Sequence, residues 1–119
     1  MKDSRTLNVW QKSHQLTVLI YETTKSFPRD ELFGLTSQIR RACSSVPANI
    51  AEGCGRASNA DFSRFLQIAF GSANELDYHL LLARDLNFLN DDGYQPLYEK
   101  VMEIKRMLAT LIRKVQTER

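Results

Sequence analysis

Apolar residues recur every three or four positions along nearly all of the chain, and the recurrence fails at three short places. That period is the one an α-helix needs to turn one face toward a core, so the pattern predicts four helices. The first runs over residues 9–26, with Leu16, Leu19, Ile20 and Phe27 on one face beside Val9 and Thr23, and ends where Phe27 meets Pro28. The second is expected over residues 30–53. Its stripe is Leu32, Leu35, Ile39, Cys43, Val46, Ile50 and Cys54, and Pro47 lies in its interior. A proline there deletes a backbone hydrogen bond and clashes with the carbonyl of Cys43, which predicts a kink, with the Ser44 and Ser45 hydroxyls placed to relieve the freed carbonyls.

Gly53-Cys54-Gly55 interrupts the pattern, and Ser58-Asn59-Ala60-Asp61 reads as a capped start for the third helix. Its main stripe is Phe62, Phe65, Leu66, Ala69, Ala73, Leu76, Leu80 and Ala83, with Ile68, Phe70, Leu81, Leu82 and Leu86 off it. A helix apolar over most of its circumference needs burial on more than one side, which points to self-association. After Asn90-Asp91-Asp92-Gly93, the fourth helix carries Tyr94, Leu97, Val101, Ile104, Leu108, Leu111 and Val115, with Pro96 in its tolerant first turn. Four helices with short connections predict an all-α, antiparallel up-down-up-down four-helix bundle, kinked at Pro47 and forming one domain over residues 1–119.

Composition agrees: 119 residues, 43% hydrophobic and 25% charged, suit one globular domain. No apolar run reaches the ~20 residues a membrane span needs, and no export signal is visible, so a cytoplasmic location without membrane attachment is expected. The net charge of +2 announces no partner, so any positive field must come from placement.

Catalytic patterns are missing. His14 and His79 lack the Glu three positions earlier that a carboxylate-bridged di-iron bundle needs, and there is no phosphate-binding glycine loop. Cys43 and Cys54 share one helix about 16 Å apart along its axis, too far for a disulfide. The expectation is a protein without enzymatic activity, cofactor or metal, its cysteines buried as thiols.

The most unusual stretch is Ser45-Val46-Pro47-Ala48-Asn49-Ile50-Ala51-Glu52-Gly53-Cys54-Gly55-Arg56. Arg41, Ser45, Glu52 and Arg56 fall in one sector of the second helix, away from the apolar stripe. Two readings stand. Ser45, Asn49, Glu52 and Glu75 form a polar cluster that fixes helix register or a subunit interface, with Glu75 reaching Asn49 or Arg41. Alternatively Arg40, Arg41, Arg56 and Arg64, near the start of the third helix, bind the phosphates of RNA or DNA, with Lys105, Arg106, Arg113 and Lys114 as a second basic group. An adaptor whose assembly docks a protein partner is the other functional expectation.

Val9-Trp10-Gln11-Lys12 with Phe27-Pro28, Gln38-Ile39-Arg40-Arg41-Ala42, the Ser45 to Gly53 run, Gly55-Arg56, Phe65-Leu66, Ala69, Gly71-Ser72 and Glu75 together resemble the 23S rRNA intervening-sequence family. Ser13 stands where alanine is commoner in that family, and Cys54 at a position that varies. The resemblance implies a bacterial, cytoplasmic, non-enzymatic bundle whose relatives assemble as toroidal homopentamers. It also implies nucleic-acid binding by basic ring surfaces, as in a related pentameric bundle that assists a reverse transcriptase.

Overall fold

The computed structural model describes residues 2–118, and among these all regular structure is helical. Four α-helices follow in order: α1, Asn8–Thr24; α2, Leu35–Cys54; α3, Asn59–Asp85; and α4, Asp91–Thr117. Single 3-10 turns at Ser4–Thr6 and Arg29–Glu31 precede α1 and α2. Contacts between successive helices pair high numbers with low ones. Thr24 meets Arg40 and Thr17 meets Cys43 between α1 and α2, while Ser45 meets Ser72 between α2 and α3. Lys105 reaches Asp77 between α3 and α4, and Lys12 reaches Glu103 to close α4 onto α1. Successive helices therefore run in opposite directions. One end of the bundle carries the α1–α2 and α3–α4 connections, where Phe27 packs on Phe88 at 5.7 Å. The other carries the α2–α3 connection and the start of α1, where the Lys2 N–H donates to the Cys54 carbonyl at 3.1 Å.

The apolar stripes make one core. Ile20, Ile39, Ile50, Leu66, Leu76, Leu80 and Leu108 are all but sealed from solvent. Helix α2, however, begins at Leu35 and not near residue 30. Gly34 turns the chain before it, and the Glu31 carboxylate reaches forward to accept the Leu35 N–H at 3.0 Å, closing the helix with a side-chain cap. Leu32, placed on the core stripe by its spacing, therefore falls in the turn and is 48% exposed. Leu19 also leaves the core: it lines the cleft between α1 and α4, beside Lys100 and Glu103.

Helix α2 continues through Pro47, which is buried within it. The serines do not answer the freed carbonyl. Ser44 donates to Arg41 O at 3.4 Å, and Ser45 lies 2.9 Å from Ser72. The Cys43 carbonyl is approached from α1, by the Thr17 hydroxyl at 3.4 Å, whose single proton also serves Ser13 O at 2.8 Å. Helix α3 is capped by Ser58, whose hydroxyl accepts the Asp61 N–H at 3.1 Å. At its other end Asn87, at φ 64°, takes the left-handed position of a Schellman turn: Phe88 N–H donates to Ala83 O and Asn87 N–H to Arg84 O, both at 2.9 Å.

Helices α2 and α3 pack closely at Gly53. A methyl group there would stand 2.9 Å from Phe65 Cβ and 3.3 Å from the Phe62 carbonyl oxygen, neither of which can swing aside. Gly53→Ala gains up to ~1 kcal/mol of helix propensity but incurs ~1–3 kcal/mol of overpacking. The expected outcome is a net loss of about 1–2 kcal/mol, read as a lower urea midpoint at unchanged slope.

Cys43 and Cys54 are both buried free thiols. Burial pushes the Cys43 thiol up from 9.0 to about 11, with the Thr17 hydroxyl pulling weakly the other way. A folded pKa above the unfolded one makes a contribution that is complete below pH ~9 and is lost as pH rises toward 11. Stability should fall by about 2–3 kcal/mol across that window, and Cys43→Ala should flatten this part of a pH-dependent urea series.

Candidate nucleic-acid interface

The four arginines singled out by sequence do not form one patch. Arg40 turns toward α1: its Nε donates to Thr24 Oγ1 at 2.9 Å, its Nη2 to Tyr21 O at 3.4 Å, and its guanidinium lies 4.7 Å from the Tyr21 ring centre. It is half-buried and fastens α1 to α2.

Arg41 is exposed on the outer side of the α2–α3 seam, lining a shallow polar pocket of about 210 Å³ with Ser44, Ser45, Ser72 and Glu75. Arg41 and Glu75 share this pocket without coming within ion-pair distance of one another. Asn49 does not reach Glu75. Its Nδ2 donates to Ser45 O at 2.8 Å and Ser45 Oγ at 2.9 Å, which leaves the Ser45 proton for Ser72. Ser45, Asn49 and Ser72 thus form a satisfied chain of hydrogen bonds across two helices, which Glu52 and Glu75 do not join.

Arg56 and Arg64 come together at the end of the bundle. Both guanidinium groups lie over the Phe65 ring, at 4.7 and 4.6 Å from its centre, and so cover the apolar side chain that α3 leaves half-buried there. Helix α2 ends at Cys54, so Arg56 lies just past it in the connection and not on the helix face its spacing gave it. Each arginine still has an acidic neighbour, Glu52 at 2.6 Å from Arg56 and Asp61 at 3.9 Å from Arg64. All four side chains are well exposed, and such pairs are worth at most ~1 kcal/mol, so an incoming anion competes with them on nearly equal terms. The N-terminus of α3 itself is already served by Ser58.

Spacing along α2 could not reveal what surrounds these two arginines. Lys2 lies over the Phe62 ring at 5.5 Å, and Arg5, Arg113 and Lys114 belong to the same end, where the Asn59 amide meets the carbonyl of Glu118 at 3.4 Å. Asp3, Glu52, Asp61 and Glu118 are the anions there, and the cations outnumber them. At the opposite end Asp30, Glu31, Asp85, Asp91, Asp92 and Glu22 outnumber Lys25, Arg29 and Arg84. The bundle is electrically polarised along its length, basic where α2 hands over to α3.

Among the described residues no group of His, Cys, Asp and Glu could hold a metal ion, and no helix is long and apolar enough to cross a membrane. Together with the stacked helices, this defines an all-helical bundle with a basic end. The chain belongs to the 23S rRNA-intervening sequence protein family, whose profile it matches over residues 5–110. Its fold is similar to the 1.70 Å crystal structure of a protein of unknown function from the S23 ribosomal protein family of Bacteroides thetaiotaomicron VPI-5482. The TM-score is 0.82 at 31% identity, covering 88% of this chain and 95% of that one. No curated protein matches the chain in sequence.

The Ser45–Asn49–Ser72 chain should matter for stability. Asn49→Ala removes two hydrogen bonds from a half-buried seam and should cost about 1–2 kcal/mol, whereas Glu75→Ala, outside the chain, should stay within ~0.5 kcal/mol by the same urea measurement.

Proposed function

We propose that this protein is a non-catalytic, cytoplasmic bundle that works as a homo-oligomer and binds RNA or DNA by its phosphates, through the end that carries Arg56 and Arg64. The observation that carries this reading is the gathering of cations at that one end, although the whole chain has a net charge of only +2. Phosphate backbones are bound by such surfaces without sequence preference, because each neutralised phosphate releases condensed counterions. Guanidinium groups resting over Phe65 have their rotamer freedom reduced beforehand, and both remain exposed. Arg41, exposed on the adjoining seam, extends the surface, while Arg40 acts in packing. The pentameric ring implied by the family resemblance would repeat the basic end around an axis, so that five weak sites act on one strand.

The test is titration of a fluorescent single-stranded RNA and a DNA duplex at several salt concentrations. Binding should weaken steeply with salt. Changing Arg56 and Arg64 together to Ala should lower the slope of log K against log salt by about 1.5, with mass and melting temperature retained. Absence of binding, or binding indifferent to salt, overturns the proposal.

A further inference from the structure

Helix α4 has 27 residues and α1 has 17, so at ~1.5 Å per residue α4 is longer by about 15 Å. Before Asn8 the chain turns away through Ser4–Thr6 toward the end of α2, where Lys2 is tied to the Cys54 carbonyl. The last turns of α4 are thereby left without α1 beside them. The result is an open, largely apolar cleft of about 370 Å³, walled by Leu7, Val9, Met107 and Leu111 and edged by Arg106 and Lys114.

The opposite end of the molecule carries the reverse feature. Phe33, in the turn displaced from α2 by Gly34, is 94% exposed and stands beside the half-exposed Leu32. Of the acids in this turn, Glu31 is committed to capping α2, whereas Asp30 pairs with none of the described cations. An aromatic ring in water next to a carboxylate at one end thus corresponds to an apolar cleft edged by cations at the other. Polarity and charge sign are complementary.

We propose that Phe33 of one copy seats in the Leu7–Val9–Met107–Leu111 cleft of a second copy, with Asp30 facing the Arg106 and Lys114 edge. The inference rests on the oligomeric part of the reading above and gives it a contact. Knob and cleft lie at opposite ends, so the contact is head-to-tail: each copy offers its knob to one neighbour and its cleft to another, as closed rings and open chains both require.

Light scattering on the full chain, without nucleic acid, tests this. The wild type should have a mass that is a multiple of 13.7 kDa. Phe33→Asp removes the knob and Thr110→Glu, at an exposed position lining the cleft, blocks the seat. Each should reduce the mass to that of one chain while helicity and melting temperature are kept, since neither side chain is in the core. Mixed together, the first variant supplies a cleft and the second a knob, so the mixture should form a two-chain species and nothing larger. A single-chain wild type, either variant retaining the wild-type mass, or a mixture that stays single-chain overturns the proposal. The readout is mass alone, so its failure leaves the salt-slope experiment untouched, and the converse also holds.

Discussion

The close approach of α2 to α3 is the constraint on which the rest of the molecule depends. It is built from small residues: Ala42 and Gly53 on one helix, Ala69 and Ala73 on the other, all buried. Interaxial distance in helix packing is set by the side chains at the contact, and here Gly53 brings α2 up to the backbone of Phe62. A seam this tight tolerates one register. Sliding α3 by a turn would carry Phe62 and Phe65 off Gly53 and set them against positions that bear a Cβ, and would break the Ser45–Ser72 contact. With the register fixed, Arg56, two residues past the end of α2, and Arg64 from the start of α3 meet over the Phe65 ring between them.

Helix number, helix order and most of the core were legible in the sequence, because a period of three and four residues leaves little freedom about which face turns inward. The boundary of α2 was not. Leu32 keeps the correct spacing for the stripe, and the Gly34 turn capped by Glu31 depends on a side chain reaching forward, which periodicity does not encode. The same blindness covers Pro47. The local remedy, a neighbouring serine, was visible, but Thr17 comes from 26 residues away in the chain.

The site was legible by residue type and not by grouping. Arg40 and Arg41 are adjacent in sequence yet point about 100° apart on a helix, so one fastens α1 while the other faces solvent over the α2–α3 seam. Arg56 and Arg64 are separated by a turn and yet share a ring. Nothing short of the α2–α3 register joins the second pair, and nothing short of knowing where α1 lies separates the first. Lys2, Arg5, Arg113 and Lys114 are brought to the same end only by the closure of the bundle.

The polarity of the bundle follows from side chains alone. Each end holds two helix N-termini and two C-termini, so the backbone dipoles of an up-down bundle largely cancel there. What remains is the excess of carboxylates at the Phe33 end and of cations at the Arg56 end, nearly all of them on exposed side chains and therefore screened beyond about 8 Å at physiological salt. A field of so short a range cannot steer from afar. It acts on a surface already in contact, which is how both a phosphate chain and the opposite end of another copy would meet it. The two uses share Lys114 but are centred apart: the cleft that receives a neighbour opens between α1 and α4, while Arg56 and Arg64 lie where α2 meets α3.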